Sequence, residues 1–167
     1  MAYPIDKKLV IALASSAPFD LSESEKVFRQ QGLDVYREHQ RKNENATLAP
    51  GVAFPLVVRL LRLNDGLPQD DAPVEVVLLS KNDPDTGLRV FNSIEKHHLA
   101  ISRAAFVNGG DPFRYMNTFN ASLFLSANEV DVRNAVQDGL PAGRVFPTEF
   151  ADHQNDPELR IAFDFDG

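Results

Sequence analysis

The chain contains no cysteine, has fewer basic than acidic residues, and lacks any long apolar run. Its 167 residues include 17 lysines and arginines against 24 aspartates and glutamates, a formal net charge of −7. The lack of cysteine excludes disulfides and thiolate metal sites and is compatible with the cytoplasm, where we expect the protein. The acidic balance argues against a nucleic-acid polymer as partner, because such binders carry a basic face. No stretch approaches the about 18 apolar residues of a membrane span, so we expect no membrane partner.

The order of apolar runs and helical patterns predicts an α/β fold. Hydrophobic residues make up 43% of the chain and charged residues 25%, a composition typical of a globular protein. The predicted strands are 8–14, 74–79, 101–107, 121–125, 143–146 and 159–163. The predicted helices are 23–31, 33–42, 55–64, 84–97, 112–119 and 129–137. Ser22 and Glu25 have the spacing of a capping box at the first of these helices. Strands that alternate with helices indicate a mostly parallel, three-layer Rossmann-like sheet with helices on both faces.

Polar residues follow several of the predicted strands, at the edge of the sheet where α/β proteins bind ligands. The candidate contacts to a substrate or effector are Ser15, Ser16, Ser80, Asn82, Arg89 and Asn92. Alternatives remain for the last two, because a solvated surface position is slightly favoured for Arg89, and Asn92 is also compatible with a contact to a neighbouring half. The sequence has neither a Walker-type loop nor a GxGxxG motif.

The segment 159–167, LRIAFDFDG, carries Asp164 and Asp166 directly after an apolar run. Two aspartates at this spacing can attack a phosphate. Both carboxylates can also hold Mg²⁺, which offsets their repulsion of the phosphate. A bare DxDG also occurs in many loops, so two aspartates that solvate an exposed strand end are the alternative.

AFDFDG resembles the first motif of the haloacid-dehalogenase-like phosphohydrolases, and the whole chain resembles the cytosolic type I 5′-nucleotidases. The matching stretches include LVIALASSAPFD, LAPGVAFPLVVRLLRLN, VEVVLLSKNDPDTGLRVFNSIEKHHL, LFLSANEVDVRNAV and RIAFDFDG. The resemblance implies Mg²⁺-dependent hydrolysis of nucleoside 5′-monophosphates by a protein with two tandem dehalogenase-like halves. It implies that Asp164 and Asp166 are the nucleophile, the general acid and the metal ligands.

An internal repeat indicates that the first half has lost these carboxylates. Residues 11–13 align with 161–163, so Ala14 falls on Asp164 and Ser16 falls on Asp166. Of the other motifs that the resemblance implies, only the second is kept in the first half, as a serine that follows the second strand. Neither the lysine of the third motif nor the acidic pair of the fourth is found at its expected place.

We therefore expect residues 1–147 to be a degenerate, non-catalytic dehalogenase-like domain. Residues 148–158 are predicted to be a linker, and 159–167 the first strand and DxD motif of a truncated second domain. The isolated chain should then be inactive, as part of a 5′-nucleotidase. The alternative is a nucleotide-binding, regulatory or oligomerisation domain, with a nucleotide effector as ligand. In either case we expect a homo-oligomer or pairing with a second domain.

Overall fold

A computed structural model describes residues 7–148, 152, 156–162 and 164, leaving aside the side chains of residues 85 and 86. The strands are β1 Leu9–Leu13, β2 Val74–Ser80, β3 Ala104–Phe106, β4 Ala121–Ser126 and β5 Ala142–Arg144. The helices are α1 Ser22–Lys42, α2 Phe54–Arg62, α3 Pro84–Lys96 and α4 Glu129–Gln137, with a 3₁₀ turn at Pro112–Tyr115. The five strands form one sheet in the order β3-β2-β1-β4-β5, and each neighbouring pair is parallel. The predicted α/β class and parallel sheet are confirmed.

Apolar side chains of the central strands alternate between two separate cores, one on each face of the sheet. Ile11 and Leu13 belong to the core that packs against α2 and α3. Val10 and Ala12 belong to the core that packs against the 3₁₀ turn and α4. Successive residues of a strand point to opposite faces, so an uninterrupted apolar strand serves both cores. The result is the predicted arrangement of a sheet between two helical layers.

Two predicted elements have about half of their predicted length or less in the structure. The third strand was expected over 101–107, but only Ala104–Phe106 pairs with β2. The helix expected over 112–119 is a 3₁₀ turn at Pro112–Tyr115. β3 lies at an edge of the sheet and has one neighbour, so its length is set by where β2 can pair with it. No helix among the described residues has the length and apolar character needed to cross a membrane.

Helix α1 has a sharp break at Gly32, as the sequence predicts. Gly32 has φ 82° and ψ −177°, which divides α1 into two helical halves. The capping box is wrong, because Ser22 lies inside the helix. Its backbone N–H and its hydroxyl both donate to Asp20 Oδ1, at 2.9 and 2.5 Å. These two bonds lower the pKa of the Asp20 carboxyl. Asp20 satisfies the helix start because its carboxylate is a stronger acceptor than the Ser22 hydroxyl.

The predicted strand 159–163 is wrong for its described residues, 159–162, which have no strand structure. Leu159 instead packs against the core beneath α2 and α3. Asp152, in the predicted linker, forms an ion pair with Arg59 of α2 at 2.8 Å. A strand requires a partner edge for its backbone groups, and side-chain contacts hold this segment instead. Residue 163 lies outside the described residues, and the division into domain, linker and second domain stays a prediction.

Candidate functional site: a cleft at the carboxyl ends of the strands

A cleft of about 590 Å³ lies at the carboxyl edge of the sheet. The chain runs from β1 outward to β2 and β3 and then returns to β4 on the other side of β1. Ligands of open α/β sheets bind at such a reversal of strand order. Residues 14–16 after β1, 81–83 after β2 and 108–109 after β3 line the cleft, together with Asn128 after β4. One wall is formed by α1. The cleft therefore lies at the edge of the sheet where the polar residues after the strands predict a ligand-binding site.

Ser15 and Ser80 hold the ends of β1 and β2 together. Their hydroxyl oxygens lie 3.0 Å apart in a buried hydrogen bond. Ser80 Oγ also accepts from the backbone N–H of Asn82 at 3.2 Å. Ser15 and Ser16 line the cleft, whereas Ser80 lies beneath its surface. The hydroxyl of Ser80 thus acts in the structure as a tie between strand ends.

Asn82 lies between the cleft and α1. Its Oδ1 accepts from the Tyr36 hydroxyl at 3.0 Å, and Tyr36 in turn accepts from Gln40 Nε2 at 3.1 Å. Its Nδ2 is buried and has no hydrogen-bond partner among the described residues. A buried amide donor without a partner costs free energy, and such a group is a natural contact for a ligand that supplies an acceptor.

Lys81 and Asp131 form an ion pair on the side of the cleft nearest α4. The Asp131 side chain is 4% exposed and that of Lys81 is 39% exposed. Asn128 begins α4 by accepting from the backbone N–H groups of Val130 and Asp131, at 2.9 and 3.3 Å. This cap fixes the first turn of α4, from which the Asp131 carboxylate reaches Lys81. This pair was not predicted, because the resemblance implies acidic residues directly after β4. The available signal was an acidic residue in the first helical turn, where carboxylates are stabilised.

The other charged residues of the cleft are also paired. Glu25 contacts Arg29 at 3.6 Å on α1, and Asp83 contacts Arg37 at 2.9 Å. Within the described part of the chain, no group of three histidine or acidic side chains is arranged to hold a metal ion. Mg²⁺ requires several oxygen ligands that are not neutralised by cations. The residues of this cleft therefore do not fit Mg²⁺.

Comparison with known proteins identifies the family. A family model described as 5′-nucleotidase matches residues 1–167. The chain belongs to the 5′-nucleotidase family. It is 34% identical over 162 residues to human cytosolic 5′-nucleotidase 1B. The matched region covers 95% of this chain and 27% of that protein. The chain thus spans little more than a quarter of that relative's length. No solved structure matches the chain.

Within this 5′-nucleotidase family member, Ser15, Ser16 and Asn82 come together in the cleft, whereas Arg89 and Asn92 do not line it. Arg89 is buried and donates to the Ala46 carbonyl at 3.0 Å and to Gln40 at 3.2 Å. The solvated surface position considered for Arg89 is therefore wrong.

Asn92 donates to the Glu44 carbonyl at 2.9 Å. Together, Arg89 and Asn92 fasten the loop after α1 onto α3. A contact from either of them to a ligand stays a prediction.

The two aspartates of the family motif lie at the other end of the chain. Asp164 is described and exposed, outside any strand, and Asp166 lies outside the described residues. Their roles as nucleophile, general acid and metal ligands stay predictions. In the cleft, the positions that the internal repeat aligns with them are occupied by Ala14 and Ser16, and both residues line it.

Proposed function

We propose that the protein is a Mg²⁺-dependent 5′-nucleotidase in which residues 1–147 form a non-catalytic domain. Its reaction would convert nucleoside 5′-monophosphates to nucleoside and phosphate. Membership of the 5′-nucleotidase family over the whole chain supports the reaction class. The observation that carries the non-catalytic role is the composition of the cleft. Ala14 and Ser16 line it at the aligned motif positions, and the Asp131 carboxylate is neutralised by Lys81.

The proposed chemistry belongs to Asp164 and Asp166. The Asp164 carboxylate attacks phosphorus, the bond from phosphorus to the 5′ oxygen breaks, and Asp166 protonates that oxygen. Asp166 then takes a proton from water. The water oxygen attacks phosphorus, and the bond from phosphorus to the Asp164 carboxylate breaks, which releases phosphate. Asp164 and Asp166 would hold Mg²⁺, which would supply positive charge against the phosphate oxygens. The cleft of residues 1–147 offers no equivalent pair, since an alanine cannot attack phosphorus.

The test compares the full-length protein with the 167-residue chain in a phosphate-release assay with AMP, IMP and deoxynucleoside monophosphates. We expect Mg²⁺-dependent release from the full-length protein and a loss of about 10³-fold or more in Asp164→Asn, because the nucleophile is removed. Asp70→Asn is the matched control, since Asp70 is an exposed aspartate in the loop before β2. Full-length protein without release would refute the reaction. Robust release by the 167-residue chain, abolished in Asp164→Asn, would refute the non-catalytic role of residues 1–147.

A second candidate is a nucleotide-binding or regulatory domain without catalytic activity, and the cleft at the strand reversal favours it. Pairing with a second domain or a second copy, and a cytoplasmic location, belong to both candidates. Thermal unfolding of the chain with and without nucleotides tests binding, because a ligand of the native state raises the midpoint. No change in the midpoint with any nucleotide would count against this candidate.

A further inference from the structure

Both cations that line the cleft are paired with carboxylates. Two cations, Lys81 and Arg29, face three carboxylates among the described lining residues. Lys81 is paired with Asp131, and Arg29 with Glu25. A phosphate that drew Lys81 away would leave the buried Asp131 carboxylate unpaired, which is strongly unfavourable. The remaining lining carboxylate, that of Asp83, is paired with Arg37.

One wall of the cleft is apolar and open. Phe28 and Leu33 line it with exposed fractions of 50% and 46%, although both are large apolar side chains. Tyr36 completes this wall, and its ring meets that of Phe28 edge-on, with centroids 5.7 Å apart. The break at Gly32 lies between Phe28 and Leu33, so both halves of α1 contribute. Aromatic side chains that border a cleft provide flat surfaces for an aromatic ligand.

Neutral polar groups also border the cleft. The Asn82 Nδ2 donor has no partner among the described residues, and the Ser16 hydroxyl lines the cleft. The volume of about 590 Å³ falls within the range of about 300–1,000 Å³ that is usual for small-molecule sites. An apolar wall, a few neutral donors and paired charges together favour an uncharged aromatic ligand that carries hydrogen-bond acceptors.

We propose that this cleft binds an uncharged nucleoside and discriminates against its 5′-monophosphate. The choice of a nucleoside among uncharged aromatic compounds rests on the proposed function, in which a nucleoside is the product. The base lies against Phe28, Leu33 and Tyr36, and Asn82 donates to an acceptor of the base or the sugar. Residues 1–147 thereby sense the product of the reaction, while phosphate transfer takes place elsewhere in the protein.

Isothermal titration calorimetry on the 167-residue chain tests the proposal. The probes are adenosine, inosine, cytidine and thymidine, the 5′-monophosphate of each, and inorganic phosphate. We expect at least one nucleoside to bind with a Kd about tenfold or more below that of its own monophosphate, and inorganic phosphate not to compete. A monophosphate that binds more tightly than its nucleoside, or a panel without any binding, would overturn the proposal.

Variants test the contribution of the apolar wall separately from that of the paired charges. Phe28→Ala should weaken nucleoside binding about fivefold or more, because it removes an exposed ring of the apolar wall. Phe146→Ala removes a similarly exposed ring outside the lining residues and should leave binding unchanged. Asp131→Asn releases Lys81 from its partner and should strengthen monophosphate binding about tenfold with little effect on the nucleoside. Unchanged nucleoside binding in Phe28→Ala, or unchanged monophosphate binding in Asp131→Asn, would contradict the proposal. Binding is measured without turnover, so inactivity of the full-length protein would refute the proposed function alone.

Discussion

The buried ion pair between Glu75 and Arg103 allows its contribution to the stability of the sheet to be predicted and measured. Glu75 lies inside β2, a strand buried along its whole length, and is 7% exposed. Two Arg103 nitrogens donate to the two carboxylate oxygens, Nε to Oε1 at 2.5 Å and Nη2 to Oε2 at 2.6 Å. The guanidinium also lies over the Phe119 ring, 5.1 Å from its centroid. A buried carboxylate is tolerated in this strand because this bidentate partner neutralises it.

Replacement of Arg103 by methionine should therefore cost far more than the loss of an ordinary ion pair. Removal of one partner from a buried pair costs about 3–5 kcal/mol, because an uncompensated charge remains. The Arg103 side chain is 27% exposed, so water can partly solvate the carboxylate, and we expect the lower end, about 3 kcal/mol. With a urea m-value of about 2 kcal/mol/M, the unfolding midpoint should fall by about 1.5 M. Arg133→Met at the exposed Glu129 pair, where both side chains are more than half exposed, should cost about 0.5 kcal/mol or less.

Urea unfolding followed by circular dichroism measures the effect, and the double variant Glu75→Leu/Arg103→Met isolates its cause. Removal of both charges should recover most of the lost stability, since apolar replacements of a buried pair are often neutral or stabilising. A loss in Arg103→Met of less than about 1 kcal/mol would refute the reasoning. So would a double variant that is no more stable than the single one, because the unpaired carboxylate would then not be the cause.

Two further predictions concern α1, and thermal or urea unfolding checks both. Gly32→Ala should destabilise the chain by about 1–3 kcal/mol, since a side chain at φ 82° is strained. The added methyl group would meet no atom within 4 Å, so backbone strain alone would cause the loss. Gln31→Ala is the control, and equal stability of the two variants would contradict the strain. Asp20→Ala should cost about 1 kcal/mol at neutral pH, since the helix start loses its acceptor. The lowered pKa of Asp20 means that this contribution is complete above the unfolded pKa and disappears as the pH falls through the native pKa. The two proteins should therefore converge in stability in strong acid, and a difference that persists there would exclude the carboxylate as its source.

Local patterns in the sequence were enough to predict the elements of the sheet. The apolar run of β2 predicts a strand buried on both faces, and the structure has it at Val74–Ser80. The predicted bounds of α4, 129–137, are those of the structure, because Asn128 supplies a cap that the local sequence contains. Pairings between distant residues were not predictable in this way. Lys81 and Asp131 are 50 positions apart, and only the parallel order of β2, β1 and β4 brings the loop after β2 and the start of α4 to one edge of the sheet.

Burial was also not predictable for every apolar residue. Leu33 and Val35 of α1 are apolar, which favours burial in a core, but they are 46% and 39% exposed. Hydrophobic periodicity identifies a face of a helix that avoids water, but it cannot distinguish a core from an open cleft. The strand predicted at 159–163 is wrong for its described residues, 159–162, for a related reason. Its apolar run indicates contact with a core, which Leu159 makes, but not the neighbouring strand that β-structure requires.

Under the proposed function, the paired charges of the cleft follow from the absence of carboxylates at positions 14 and 16. A site for Mg²⁺ and phosphate balances several carboxylates against a metal ion and a lysine, so each charge depends on the others. In this cleft Ala14 and Ser16 stand at the aligned motif positions, and a lysine without a partner would then be a partly buried, uncompensated cation. Asp131 supplies the compensation from the first turn of α4, where the helix dipole also favours a carboxylate. Under the proposed function, the residues at these positions leave a cleft with paired charges and an apolar wall, which is the kind of site that an uncharged nucleoside would occupy.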